Sequence, residues 1–228
     1  MSFKVDPAER KATEVLIRDF GSKPDLTVEE VYKVSWNRFN AIEGSHRKVK
    51  ILHQLLHDDE FRYNYRNLPR EMHLYMYEDL FTFAGKYRSI NDPLKGQIYF
   101  GPQHAHQRKP QFSGNLPAEI EPGVLEAIQY LKSKAAKEDP VLAAVRFYQK
   151  FVKVHPFYDG NGRIARLIAN TYLAGFELTI LWSEFDSKRK FIHKLNYCHK
   201  NPSTHTFQLL RDYINDYTFR FEDLDSPE

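Results

Sequence analysis

Twelve consecutive residues concentrate groups able to do chemistry: His155-Pro156-Phe157-Tyr158-Asp159-Gly160-Asn161-Gly162-Arg163-Ile164-Ala165-Arg166. His155 has the one side chain in this stretch suited to accept a proton near neutral pH. Asp159 offers a hard oxygen ligand of the kind magnesium takes. Gly160 and Gly162 allow positive φ and a close approach of backbone to a ligand. Arg163 and Arg166 are three apart, so on a helix they share a face, and guanidinium groups match phosphate oxygens two bonds at a time. If a helix opens here, its free N–H groups and dipole add a cradle for an anion. Base, metal ligand, anion cradle and charge clamp in this order read as a phosphate-transfer site. The blander alternative is a glycine-rich helix cap with surface arginines and a stray histidine. Each residue alone would fit it, but the ordered combination fits it poorly.

Such a turn needs an element to deliver it and one to receive it. Asp139-Pro140 reads as cap and first residue of a helix. Val141, Ala144, Val145, Tyr148, Phe151 and Val152 give that helix a buried face, and it ends at His155. Downstream, Ile164, Leu167, Ile168, Thr171 and Tyr172 face a core, with Arg163, Arg166 and Asn170 on the other side. Further helices are expected over 7–20, from the capping box Thr27-Val28-Glu29-Glu30 to Gly44, over 46–67, from Met72 to Phe83, over 122–137, over 184–199 and over 203–221. Val28, Val31, Ser35, Phe39 and Ile42 form the stripe of the second, and His73 reads as a structural histidine. Residues 89–119 break the rhythm with turn signals, and Gln97-Ile98-Tyr99-Phe100 and Gln111-Phe112-Ser113 are candidate short strands. His104-Ala105-His106 would place two imidazoles on one face, a weak metal pattern without a third ligand.

The 228 residues, with 42% hydrophobic and 28% charged side chains, suit one globular core. The lone Cys198 excludes an intramolecular disulfide and fits a reducing compartment. No apolar run has the length of a membrane span, and Met1-Ser2-Phe3-Lys4-Val5-Asp6 carries no signal region. A cytoplasmic location follows as an expectation. The net charge of +3 is mild, and Lys and Arg are spread without an aromatic-interleaved block, which argues against a nucleic-acid-binding module.

The pattern His-Pro-Phe-x-Asp-Gly-Asn-Gly-Arg-x-x-Arg resembles the signature of the Fic domain family at every defining position. Upstream, Ala84-Gly85-Lys86-Tyr87-Arg88 resembles the family's Ala-Gly-x-x-Arg segment. The resemblance spans roughly residues 40 to 220 and implies an all-α fold: a single helical Fic-type domain with a small β-hairpin flap. It implies residues 49–228 as the core and residues 1–48 as N-terminal helices packed on it, including an inhibitory helix over 27–44. The implied activity is transfer of AMP from ATP to a Ser, Thr or Tyr hydroxyl of a target protein, with release of pyrophosphate. His155 would deprotonate the hydroxyl and Asp159 would hold Mg2+. Asn161 and Arg163 would contact the phosphates, the Gly160 and Gly162 backbone would form the anion hole, and Arg166 would grip the outermost phosphate. The protein substrate would dock on a flap around 97–118, and self-modification is a further option. The phosphorylating Doc branch has Lys where Gly162 stands, which favours AMP transfer. Ile42-Glu43-Gly44 resembles the end of the family's inhibitory helix, so Glu43 would pair with Arg166. Phe39 stands where the family has Ser or Thr. Glu222, in Thr218-Phe219-Arg220-Phe221-Glu222-Asp223, is the rival inhibitory residue. Removal of AMP, or transfer of another phosphate-containing group, is the alternative activity at the same site.

Overall fold

A computed structural model describes residues 6–43, 45–57, 67–101 and 111–224. The chain is helical, in the order α1 (Pro7–Phe20), α2 (Val28–Glu43), α3 (His46–His57), α4 (Leu68–Tyr77), β1 (Tyr99–Phe100), β2 (Phe112–Ser113), α5 (Pro117–Leu131), α6 (Lys134–Glu138), α7 (Pro140–Val154), α8 (Asn161–Leu173), β3 (Leu178–Ile180), α9 (Lys188–Lys200), α10 (Thr204–Asn215), β4 (Thr218–Arg220) and α11 (Phe221–Leu224). Among the described residues the only sheets are two antiparallel pairs of strands, and no helix is long and apolar enough to cross a membrane.

The helix starts follow their caps. Asp6 accepts from the Ala8 and Glu9 amides ahead of Pro7, Thr27 Oγ accepts from Glu30 N–H at 3.2 Å, and Asp139 accepts from Leu142 N–H at 2.9 Å. Each satisfies donors that the first turn leaves free. The core sits around α7, which packs on α8, α5 and α10. Phe147, Phe151, Phe157, Ile164, Leu167 and Ile168 are fully buried there. Leu16 and Phe20 of α1 and Val31 and Phe39 of α2 join the same cluster, so the N-terminal helices share this core.

Four expected helices take a different form. The helix expected from Met72 to Phe83 runs over Leu68–Tyr77, with Pro69 in its first turn. The helix expected over 122–137 is two helices: Ser133 caps α6 by accepting from Ala136 N–H, and Pro122 lies inside α5 because Pro117 starts it. The helix expected over 184–199 begins at Lys188, capped by Ser187. The helix expected over 203–221 stops at Asn215, and Thr218–Arg220 forms β4 against β3, with Ile180 opposite Thr218. Asn170 explains the strand. It is buried, and its amide holds both Ile180 N–H and Ile180 C=O at 3.1 Å. The outer edge of β3 is thereby left for Thr218–Arg220. Asn170 therefore does not share the side of α8 that carries the arginines. The expected flap strands shorten to two residues each, with Tyr99 opposite Ser113 and Phe100 opposite Phe112. His104 and His106, residues 58–66 and Gly44 lie outside the described residues.

Candidate active site

The stretch 155–166 folds as a helix end, a turn and a helix start. His155 ends α7 in the left-handed region, with φ 52° and ψ 60°, and its N–H still reaches Phe151 C=O at 3.0 Å. Pro156 disfavours a right-handed helical His155 and so stops α7 there. The chain turns through Phe157, Tyr158 and Asp159 to Gly160, which caps α8 at φ 78° with no side chain on the cap. The amides of that first turn are left for a ligand. Asn161 staples the turn: its Oδ1 accepts from Phe157 N–H at 2.9 Å and its Nδ2 donates to Phe157 C=O at 2.8 Å.

The two glycines differ in what demands them. A Cβ on Gly160 would meet the Tyr77 ring at 2.8 Å, and the positive φ adds strain, so the fold itself requires glycine there. A Cβ on Gly162 would meet only the Tyr148 hydroxyl, at 3.7 Å, an ordinary contact. Packing does not require Gly162; the open space in front of it is the room a ligand would use.

His155 is held as a neutral base. Its Nδ1 lies 3.1 Å from Val152 C=O, which can only accept, so Nδ1 carries the proton and Nε2 keeps its lone pair. Burial pushes its pKa down to about 4, against the opposing pull of the Val152 bond. The ring stacks on Phe100 of the flap at 4.4 Å and 14°. Arg88 fixes the surroundings. Its guanidinium donates to His155 C=O at 2.7 Å, to Asn115 C=O at 3.0 Å and to Gly96 C=O, joining the end of α7 to both ends of the flap.

Asp159 and Arg163 form a polar knot in which Arg163 is largely buried and Asp159 stays partly open to solvent. Tyr77 donates to Asp159 Oδ2 at 2.7 Å, and Arg163 reaches the same oxygen at 3.2 Å. Arg163 also donates to the Tyr77 hydroxyl and, at 2.8 Å, to Ser35 Oγ, and lies over the Trp36 ring at 5.0 Å. Burial alone would raise the Asp159 pKa, but Arg163, Tyr77 and the Gly160 N–H outweigh it and hold the carboxyl below its ordinary value. Asp159 is therefore ionised at neutral pH. Tyr77→Phe removes one group that serves both ions and is expected to lower unfolding stability by about 1–3 kcal/mol in denaturant melts.

The cavity over this turn holds about 250 Å³ and is lined by Trp36, Tyr158, Gly160, Asn161 and Gly162 together with His155, Asp159, Arg163 and Arg166. The structure thus brings together every residue singled out within 155–166. The donor set fits a nucleotide with a divalent cation: an ionised hard-oxygen ligand, uncapped amides, open room at Gly162 and two guanidinium groups. No cluster of three or more His, Cys, Asp or Glu occurs among the described residues, so such a cation would take its remaining ligands from phosphate and water.

Arg166 lies 5.6 Å from the Trp182 ring, and its Nε has no hydrogen-bond partner. Glu43, at the end of α2, feels its charge, but the expected ion pair between the two is not formed among the described residues. Glu43 Oε1 is buried without a hydrogen-bond partner among the described residues, and burial raises its pKa to about 7 despite Arg166. Glu222 is exposed, 3.5 Å from Arg220, and does not line the cavity.

Helical periodicity reads Tyr77 as apolar core and is silent on Ser35, Trp36 and Arg88 as site residues, because their partners lie far away in sequence. The Ala-Gly-x-x-Arg pattern was the one signal for Arg88. His73 is fully buried and accepts from Gly85 N–H at 2.9 Å, a structural role. A second cavity of about 210 Å³ shares Trp36, Asp159 and Arg163 as a wall and is closed by Glu9, Thr13 and Tyr32. Through it α1 also borders the site.

Residues 25–173 match the Fic/DOC family. The protein adenylyltransferase Fic of Nematostella vectensis is 31% identical over 115 residues, which are 50% of this chain and 23% of that protein. The protein adenylyltransferase fic-1 of Caenorhabditis briggsae is 28% identical over 123 residues, 50% of this chain and 22% of that protein. The matched stretch is thus less than a quarter of either relative's length. Among solved structures, a Fic domain containing signaling protein from Bacteroides thetaiotaomicron superposes with TM-score 0.61 at 19% identity, over 86% of this chain and 71% of that one. The N-terminal Fic domain of a VirB-translocated Bep effector protein from Bartonella quintana, with bound ADP, does so with TM-score 0.54 at 15% identity, over 97% and 91%. These two likenesses support the fold.

Proposed function

Because this chain belongs to the Fic/DOC family, we propose that it transfers AMP from ATP to a hydroxyl side chain of a target protein. The observation that carries this reading is the pairing of an imidazole fixed with Nε2 as its free base and a glycine, Gly162, left open by the packing. The relatives named protein adenylyltransferase support it.

His155 Nε2 takes the proton of the hydroxyl, and the oxygen attacks the α-phosphorus. The bond to the bridging oxygen breaks, and pyrophosphate leaves. The amides at Asn161 and Gly162 receive the phosphate oxygens, while the Gly160 N–H stays on Asp159 Oδ1 at 2.7 Å. Because the Asn161 carboxamide is engaged by Phe157, its contribution comes through the backbone. Arg163 adds positive charge to the cradle while orienting Asp159, and Arg166 holds the outermost phosphate. Mg2+ held by Asp159 would neutralise charge on the departing pyrophosphate. The flap around residues 97–118 would dock the target backbone. Glu43, whose carboxyl is close enough to Arg166 to feel its charge, would restrain the enzyme by competing with that phosphate.

The test is incubation of Glu43→Gly protein with labelled ATP, Mg2+ and a cell lysate, with mass spectrometry of the labelled protein. An AMP adduct supports the reading. A phosphate or phosphocholine adduct, or release of AMP from a modified target, replaces it with another activity of the same site. Gly162→Ala is a second check. Alanine favours a helix over glycine by up to about 1 kcal/mol, so the variant should melt no lower than the parent. Its transfer rate should fall at least about tenfold, because the methyl group occupies the phosphate's room.

A further inference from the structure

A larger cavity, about 440 Å³, lies away from the motif, between α5, α7 and α10. We propose that it is a binding site for a small, flat organic monoanion of the aromatic carboxylate class. Its walls are the rings of Tyr130, Phe147 and Phe207. Phe147 and Gln149 are buried at its floor, whereas Lys150 is only partly buried. Three rings around a concavity of this size suit a planar apolar body.

The charge of the ligand follows from Arg146. Its guanidinium lies 5.2 Å from the Phe207 ring and 5.9 Å from the Tyr130 ring. One Nη donates to the Tyr130 hydroxyl at 3.3 Å. Its Nε is buried with no acceptor, and no carboxylate pairs with it among the described residues. A half-buried guanidinium with an unused donor lacks one negative partner. A carboxylate supplies it through Nη–H donors, since the Nε is itself out of contact with the cavity. Lys150 asks for no second anion, since Glu126 already pairs with it. The requirement is therefore for one negative charge, which separates this cavity from the polyphosphate cradle at 155–166.

The floor also provides a reporter. Gln149 Nε2 lies 2.9 Å from His199 Nδ1, and because an amide nitrogen only donates, His199 carries its proton on Nε2. That N–H has no partner. A ligand touching Gln149 should shift the His199 Nε2–H resonance.

The experiment titrates the full chain with 2-naphthoate, and with 2-naphthamide as the uncharged match, by calorimetry and by NMR. We expect one site per chain, a moved His199 signal, and binding of the amide at least about tenfold weaker. Arg146→Met keeps the length of the stem and should remove the preference for the acid. Arg166→Ala, in the other cavity, should leave it unchanged. Phe207→Ala removes a half-buried wall and should weaken 2-naphthoate even if Arg146→Met fails to fold. Absence of saturable binding up to millimolar 2-naphthoate, equal affinity for acid and amide, or displacement by ATP would each overturn the proposal. None of these readouts depends on AMP transfer, so the site stands or falls apart from the proposed activity.

Discussion

His155→Asn protein should label its target at least about a hundredfold more slowly than the parent, while binding nucleotide and melting much as the parent does. A positioned general base contributes about 10²- to 10⁴-fold, which sets the size of the loss. Asparagine is the informative replacement because His155 sits at φ 52° and ψ 60°. Asn tolerates that left-handed conformation, whereas Ala would add strain and confuse a catalytic defect with a folding one. The pH profile adds a second readout. Burial holds the imidazole neutral until the pH approaches about 4, so kcat/KM should show no acid limb near the ordinary histidine pKa of about 6.5. The measurement belongs in the Glu43→Gly background, where the carboxyl with a pKa near 7 is gone. An acid limb near 6.5 in that variant, or undiminished transfer by His155→Asn, would remove His155 from its role.

What could be read from the chain and what could not divide along sequence separation. The turn at 155–166 is local: proline after histidine, glycine at the cap and arginines three apart each act on their neighbours, and each has a spacing signal. The α7 stripe is equally local, and its buried face follows the 3.6-residue period. Tyr77 and Ser35 are different. Each sits at a position that periodicity assigns to the core, and only the packing of α2 and α4 beside α8 turns them toward Arg163. Arg88 is the extreme case. A buried arginine spread over four backbone carbonyls from three segments leaves no trace in helical or strand periodicity, and only the Ala84-Gly85-Lys86-Tyr87-Arg88 resemblance pointed to it. The 203–221 stretch shows the converse error: its helical pattern ran on past Asn215, but Thr218–Arg220 pairs with a strand whose other edge is held by Asn170. Tertiary partners overrode local propensity there.

Glu43→Gly should transfer AMP about ten- to a hundredfold faster than the parent at pH 8, through recovered affinity for ATP at Arg166. The expected size corresponds to about 1.4–2.8 kcal/mol of lost competition, the scale of the through-space attraction between Glu43 and Arg166 that phosphate must displace. Glu43→Gln supplies the sign test. Burial raises the Glu43 pKa to about 7, above its unfolded value of about 4.3. The folded state therefore binds this proton more tightly than the unfolded state. The stability it contributes is fully present below about pH 4.3 and is lost as pH rises through 7. At pH 8 the buried carboxylate accordingly costs on the order of 3 kcal/mol. Glu43→Gln should then be more stable than the parent at pH 8 and indistinguishable from it at pH 4, as read from denaturant melts. Transfer should follow the same titration. Parent enzyme should gain on the glutamine variant as the pH falls below 7, because a protonated Glu43 no longer competes for the Arg166 guanidinium. Equal rates for parent, Glu43→Gly and Glu43→Gln at every pH would leave the buried carboxyl without an inhibitory role, and the restraint would then have to be sought at Glu222.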